Sequence, residues 1–367
     1  MESVNAVSDT SPLWSVELPA HDGTLRTEDV DGCLVIAEAA ATLISPDGRI
    51  RWSQELGQHG DWYPLVRDGL MHRIEDDRIV TRDLGTGELV ASFDGGPRAH
   101  RLKFDPWGGF VFRHLVEQDQ REVRRVGLDG ELHWAVPLPD RMDGYRLRTF
   151  GDLVVFDVNK LLYAYDRDAE LQWAAWAWAG VRLDRPADEH HRIKGLWEYD
   201  ANRLLARFDW YDGGGYYLVD AFGGSSEFIT TRQVSEPLAV LPGVEGGPMR
   251  LAVCGPSRQE QMIYTYPVWM IEGDRAVWTH DMNVAPVTLT AGAAGSLVVS
   301  ASPDRRRWDT YHWLRPLWHE TYVRCLNSDG TTRWTWYAPG MITQHPNIGA
   351  DGTVYVGAAG RLYALPA

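Results

Sequence analysis

The chain has almost no lysine. Of its 36 basic residues only Lys103, Lys160 and Lys194 are lysines, a bias that resembles coding from a GC-rich bacterial genome. Acids outnumber bases, 51 to 36, which leaves a formal net charge of −15. Nucleic-acid binding needs Lys and Arg clustered toward phosphates, and the one dense basic run, Arg305-Arg306-Arg307, is short, so no nucleic-acid partner is expected. Cysteine is scarce as well. Cys33, Cys254 and Cys325 are far apart and odd in number, which gives neither a disulfide framework nor a paired-cysteine metal site. No apolar run approaches the ~20 residues of a membrane-spanning helix. The start, Met1-Glu2-Ser3-Val4-Asn5-Ala6, has neither the basic nor the apolar part of a signal peptide. The expectation is a soluble, cytoplasmic protein with no membrane partner. Catalytic signatures are missing too: there is no GxSxG elbow, HExxH, P-loop or GxGxxG.

What the chain has is a repeated phrase: an alternating strand, a tight Gly-containing turn, then a second strand carrying one large aromatic. The clearest copies are Pro46-Asp47-Gly48-Arg49-Ile50-Arg51-Trp52, Leu128-Asp129-Gly130-Glu131-Leu132-His133-Trp134 and Ser328-Asp329-Gly330-Thr331-Thr332-Arg333-Trp334. Weaker copies put Trp173, Phe228 and Trp278 at the same position, Ala91 takes it in Gly85-Thr86-Gly87-Glu88-Leu89-Val90-Ala91, and Trp14 opens the series. Successive anchors lie 38, 39, 43, 39, 55, 50 and 56 residues apart, and the path from Trp334 through the C-terminus round to Trp14 adds one more repeat of 47. A period of this size fixes the architecture. Eight anchors predict an all-β fold, an eight-bladed β-propeller of four-stranded antiparallel blades. The C-terminal segment supplies two strands, Asp351–Gly357 and Arg361–Leu365, without an anchor strand. The N-terminal segment Pro12–Leu18 supplies an anchor strand with nothing before it. Pairing the two closes the last blade and removes an exposed edge. With no Gly/Ser-rich linker or low-complexity tract, residues 1–367 read as one propeller domain.

The segment Leu161-Leu162-Tyr163-Ala164-Tyr165-Asp166, followed by Ala169-Glu170-Leu171-Gln172-Trp173, resembles the PQQ-like repeat, and so does Val354-Tyr355-Val356-Gly357 with Leu362-Tyr363-Ala364-Leu365. The resemblance implies the propeller fold. Members of that family include quinone-dependent dehydrogenases, often marked by adjacent cysteines, and an exported, lipidated scaffold. This chain lacks both marks, so bound quinone is not expected and no cofactor is predicted, although the histidines described next are of a kind that holds a divalent metal.

In a four-stranded up-and-down blade, the loop leading into the innermost strand and the loop joining strands two and three emerge on one face. On that scheme His21, His59, His100, His190, His191 and His345 lie in or beside the loops leading inward. His312 and His319 lie in a long second-to-third-strand loop of blade seven, and His72 and His114 end second strands pointing the same way. Only His133 and His280 fall elsewhere. Blades pack roughly 10 Å apart, so side chains from neighbouring blades can converge. His345, His21, His59 and His100, with Asp61 (and with Asp22 and Asp143 near), form a candidate acid–base set, because histidine titrates near neutral pH and a carboxylate fixes its tautomer. Single histidines in such loops more often bond their own backbone, and the same set is also suited to a metal.

The blade-seven loop, Arg307 to Tyr322, is unusually aromatic. Its Trp308, Tyr311, His312, Trp313, Trp318 and His319, with Trp62, Tyr63 and Tyr145, form a candidate wall for a flat or greasy ligand, or else a twisted hairpin packed on its neighbour. A second enlarged loop, Trp176 to Arg192, carries Glu189-His190-His191. The leading functional expectation is a non-redox lyase, cyclase or isomerase acting on a hydrophobic or aromatic small molecule by histidine acid–base chemistry. The alternatives are a non-catalytic scaffold whose rim binds a protein partner, and a metal-assisted lyase using the same histidines. The anchor tryptophans are expected in the core.

Overall fold

The computed structural model describes residues 9–18, 23–37, 39–57, 64–117, 120–138, 147–158, 161–176, 192–200, 202–210, 213–220, 226–230, 235–241, 249–254, 258–260, 263–272, 275–284, 286–292, 295–301 and 321–366. The chain is all-β among those residues and folds as the expected eight-bladed β-propeller of antiparallel blades. It divides into two compact units, one of Met1–Gln54 with Val234–Ala367, the other of Glu55–Gln233.

Blades two to five make up the second unit. Blade two runs Leu65–Arg67, Leu70–Glu75, Arg78–Asp83 and Leu89–Asp94; blade three runs His100–Phe104, Phe110–Glu117, Gln120–Val126 and Leu132–Leu138. Blade four runs Leu147–Phe150, Leu153–Val158, Leu161–Tyr165 and Leu171–Trp176; blade five runs Arg192–Asp200, Arg203–Trp210, Gly213–Asp220 and Ser226–Thr230. Second strands here lose the hydrophobic alternation of a half-exposed sheet: in Leu70–Glu75 five of six residues are buried, because both faces are covered. The core lies between successive blades. Leu65, Ile74 and Ile79 of blade two pack with Leu102, Phe110 and Phe112 of blade three. Such residues contribute about 1.5–3 kcal/mol each when fully buried.

The first unit holds blades one, six, seven and eight. Blade one is Thr24–Arg26, Cys33–Ile36, Ala40–Ile44 and Ile50–Glu55, and blade seven is Pro286–Ala291, Leu297–Ala301, Tyr322–Leu326 and Thr332–Tyr337. Blade six, Ser235–Leu241, Arg250–Cys254, Ile263–Glu272 and Arg275–Met282, carries an extra short strand, Arg258–Glu260, on its long third strand, which the repeat phrase does not signal. Blade eight is built from both ends of the sequence. Its first three strands are Ile342–Ile348, Val354–Ala358 and Arg361–Leu365, and its outer strand is Trp14–Glu17, with Trp14 opposite Ala364 and Glu17 opposite Arg361. Blade eight meets blade one through Thr27 Oγ1, which donates to Ile348 O at 2.7 Å, and Asn347 Nδ2, which donates to Leu25 O at 3.0 Å.

The anchor aromatics join one blade to the next. Trp52, Trp134, Trp173 and Trp334 are buried as expected, while Trp14 and Trp278 are half-buried. The indole N–H of Trp14 donates to Pro46 O at 2.7 Å and that of Trp278 to Ser328 O at 2.8 Å, in each case in the third-to-fourth-strand turn of the following blade. In the second unit Trp134 does the same to Arg167 O at 3.0 Å. The ring also lies on the glycine of that turn. A Cβ on Gly330, whose φ is +85°, would sit 2.7 Å from Trp278 Cδ2. Glycine is thus needed there for its left-handed backbone and for the close approach of the ring. Blade two departs from the phrase: Ala91 holds the anchor's ladder position opposite Thr81 but is exposed, and Phe93, two residues on, covers Gly130 instead.

Candidate functional site

Most of the candidate site lies outside the described residues: His21, His59, Asp61, Trp62, Tyr63, Tyr145, Trp308, Tyr311, His312, Trp313, Trp318 and His319, together with Asp22, Asp143, Glu189, His190 and His191. Two members remain, one in each unit. His100 opens the innermost strand of blade three, half-buried, with its Nδ1 2.7 Å from Arg98 O, the local backbone bond typical of a histidine in such a loop. A bulge follows between His100 and Lys103. His345 lies exposed on the innermost strand of blade eight, between the buried Gln344 and Pro346, and desolvation by the surrounding protein lowers its pKa.

Two histidines expected at the working face belong to the core. His72 is the third residue of Leu70–Glu75, buried, with Nδ1 2.9 Å from Thr81 Oγ1 and its ring against Phe104 and Phe110 at 5.4 and 5.0 Å. Burial, aided by the Arg67 guanidinium, pushes its pKa down to about 4, so it is neutral at pH 7. His114 is also buried, 3.4 Å from Glu122, and burial again lowers its pKa. A strand whose two faces are both covered buries its histidines whichever way they point. His280 on the outer strand of blade six holds Gly330 O at 3.1 Å through Nδ1, another contact between blades.

One buried ion pair in the second unit is structural as well. Asp105 and Arg125 of blade three form a buried ion pair at 2.6 Å, and Asp105 Oδ1 accepts the backbone N–H of Trp107 at 2.8 Å and of Gly109 at 2.6 Å. Among the described residues no group of three or more His, Cys, Asp or Glu is arranged to hold a metal ion.

Sequence reasoning on histidines passed over a feature that the repeat phrase itself contains. In blades two, three and four the outer strand begins with an exposed leucine: Leu89 at 59%, Leu132 at 53% and Leu171 at 50% exposure. Each stands two residues before the anchor position and directly after an exposed glutamate, Glu88, Glu131 or Glu170. Ile50 holds the same position in blade one and is also exposed. These residues adjoin the third-to-fourth-strand turns, at the end of the blade opposite that from which the innermost strand starts.

No known family profile matches the chain, and no curated protein does. Solved structures do. BamB from Moraxella catarrhalis is 12% identical, with a TM-score of 0.60 over 98% of each chain. Dihydro-heme d1 dehydrogenase NirN in complex with DHE is 11% identical, with a TM-score of 0.62 over 96% of this chain and 78% of that one. A eukaryotic initiation factor reaches a TM-score of 0.51 at 8% identity over 89% of this chain and 88% of that one. A β-propeller it is. At these identities the likeness is one of fold, and membership of the PQQ-like family is not established by it.

Proposed function

We propose that the protein is a propeller scaffold that binds a protein partner through its rim. The observation that carries this is the register-matched set Leu89, Leu132 and Leu171. A lone exposed leucine on a soluble protein needs no explanation, but three at one repeat position on successive blades make a patterned apolar surface. A propeller presents such a surface on rigid, mutually clamped blades, which limits the ordering cost of binding. The similarity to BamB, NirN and an initiation factor supports the propeller as the frame and carries no reaction with it. Acid–base catalysis receives less support: the one-sided distribution of histidines that motivated it loses His72 and His114, both built into the core, and of the acid–base set itself only His100 and His345 lie among the described residues.

A photo-crosslinking residue placed at 89, 132 or 171 in the producing cell should capture one discrete protein, identified by mass spectrometry and shown to bind again when purified. The same residue at Glu55, at the far end of an outer strand, should capture none. No adduct from any of the three rim positions would overturn the proposal.

A further inference from the structure

Resting on the scaffold reading, the inference concerns what kind of partner the rim of the second unit accepts. We propose that it docks a segment of a partner protein in which Lys or Arg alternates with aliphatic residues. The repeat places an acid beside each exposed leucine: Glu88-Leu89, Glu131-Leu132 and Glu170-Leu171. The preceding turns add exposed Asp129 and Asp168, and the one exposed Arg or Lys in these three turns is Arg167.

The aspartates of these turns are partly used in building them. Asp83 Oδ1 accepts the N–H of Thr86, Asp129 Oδ1 that of Glu131, and Asp166 Oδ1 those of Asp168 and Glu170. The glutamates contribute only their backbone groups to the turns: among the described residues none of the Glu88, Glu131 and Glu170 carboxylates has an ion-pair or hydrogen-bond partner. The rim thus repeats one unneutralised carboxylate and one exposed leucine per blade for three blades. The complementary partner is basic and aliphatic in alternation. An acidic surface selects against nucleic acid and against a second copy of itself, since the protein carries a net charge of −15. Each of these outer strands ends its sheet, so backbone donors and acceptors along its free edge are also open to an extended segment.

The test uses the full-length protein and a short fluorescent peptide of alternating Lys and Leu, with an alternating Glu and Leu peptide as its counterpart. Anisotropy titrations are run at two salt concentrations. The Lys-Leu peptide should bind, more weakly at high salt, and the Glu-Leu peptide should not. Glu88→Gln/Glu131→Gln/Glu170→Gln should weaken binding about 10-fold, the effect of three modest surface ion pairs. Leu89→Ser/Leu132→Ser/Leu171→Ser should weaken it about 100-fold through lost apolar burial. Removing three charges away from the rim, Glu17→Gln/Glu55→Gln/Asp281→Asn, should change it less than twofold, a control for attraction to net charge alone.

If the Lys-Leu peptide does not bind, if the Glu-Leu peptide binds equally, or if the glutamate variant binds like the wild type, the basic-partner chemistry is wrong. The crosslinks at positions 89, 132 and 171 then still decide whether the rim is a scaffold surface. If the off-rim variant weakens binding as much as the rim variants do, attraction is to net charge and the rim is not the docking site.

Discussion

Replacing Gly330 by alanine tests the clamp between blades six and seven. Two costs are expected there. The first is backbone: at φ +85° an L-residue pays the left-handed strain, about 1–2 kcal/mol. The second is steric. The new methyl would lie 2.7 Å from Trp278 Cδ2, with two more ring atoms at 3.0 Å, so the indole must move off the turn and stretch its 2.8 Å bond to Ser328 O. Forcing a methyl into such a contact costs roughly 1–3 kcal/mol. Gly108 separates the two effects, because its φ is +93° and nothing lies within 4 Å of its would-be Cβ. Gly108→Ala should therefore cost about 1–2 kcal/mol and Gly330→Ala about 2–5 kcal/mol. The excess should disappear in a Trp278→Ala background, where the methyl has room, giving a coupling of about 1–3 kcal/mol in a double-mutant cycle. Urea unfolding followed by far-ultraviolet circular dichroism, which does not depend on the tryptophan removed, reads the midpoints at unchanged slope. Equal costs at Gly330 and Gly108, or an excess that survives Trp278→Ala, would refute the clamp.

Acid should destabilise the protein through His72. Its folded pKa of about 4 lies below the ordinary 6.5, so the unfolded chain binds the proton first and stability falls as pH drops from 6.5 toward 4. The loss amounts to about 3 kcal/mol at some 1.4 kcal/mol per pH unit, and His72→Gln should flatten this limb in a series of pH-dependent melts; an unchanged limb counts against it. Arg125→Met leaves the Asp105 carboxylate buried without its cation and should cost about 3–5 kcal/mol, far more than Arg51→Met at the exposed pair with Asp31, in thermal unfolding. The three cysteines are buried, and burial pushes the thiol pKa of each upward, so Ellman's reagent at pH 8 should find them unreactive until denaturant is added; rapid native labelling would contradict their placement.

The blades were legible in the sequence because the Asp-Gly turn and the aromatic two residues past the outer strand's start recur with a period that one four-stranded blade explains. Trp52, Trp134, Trp173 and Trp334 all went to the core on that evidence. The pattern misled where one element was replaced by another of the same chemistry: Phe93 supplies the ring that Ala91 cannot, and nothing in Leu89-Val90-Ala91-Ser92-Phe93 distinguishes a shifted anchor from a missing one. Histidines were harder to place. Period-two patterning says which way a side chain points but not how deep it lies, and in a strand covered on both faces His72 is enclosed either way. Gln344 has the same lesson. It is 1% exposed on the innermost strand of blade eight, where a Cβ on Gly357 would lie 2.1 Å from its Oε1, a close packing that no local pattern announces. The rim leucines, by contrast, sit in the repeat phrase itself and were available to inspection.

The closing of blade eight sets an order of events in the life of the chain. Ser15 meets Arg361 across a sequence separation of 346 residues, so the outer strand of that blade waits for that length of chain to be made before it can pair. At translation rates of about 5–20 residues per second the interval is about 20–70 s. Throughout it the segment Trp14–Glu17 has no native strand to pair with, while the Trp14 ring can already meet the blade-one turn at Pro46 and Gly48. The clamp that joins blade eight to blade one can therefore hold the N-terminal strand in place long before the strand it must pair with exists.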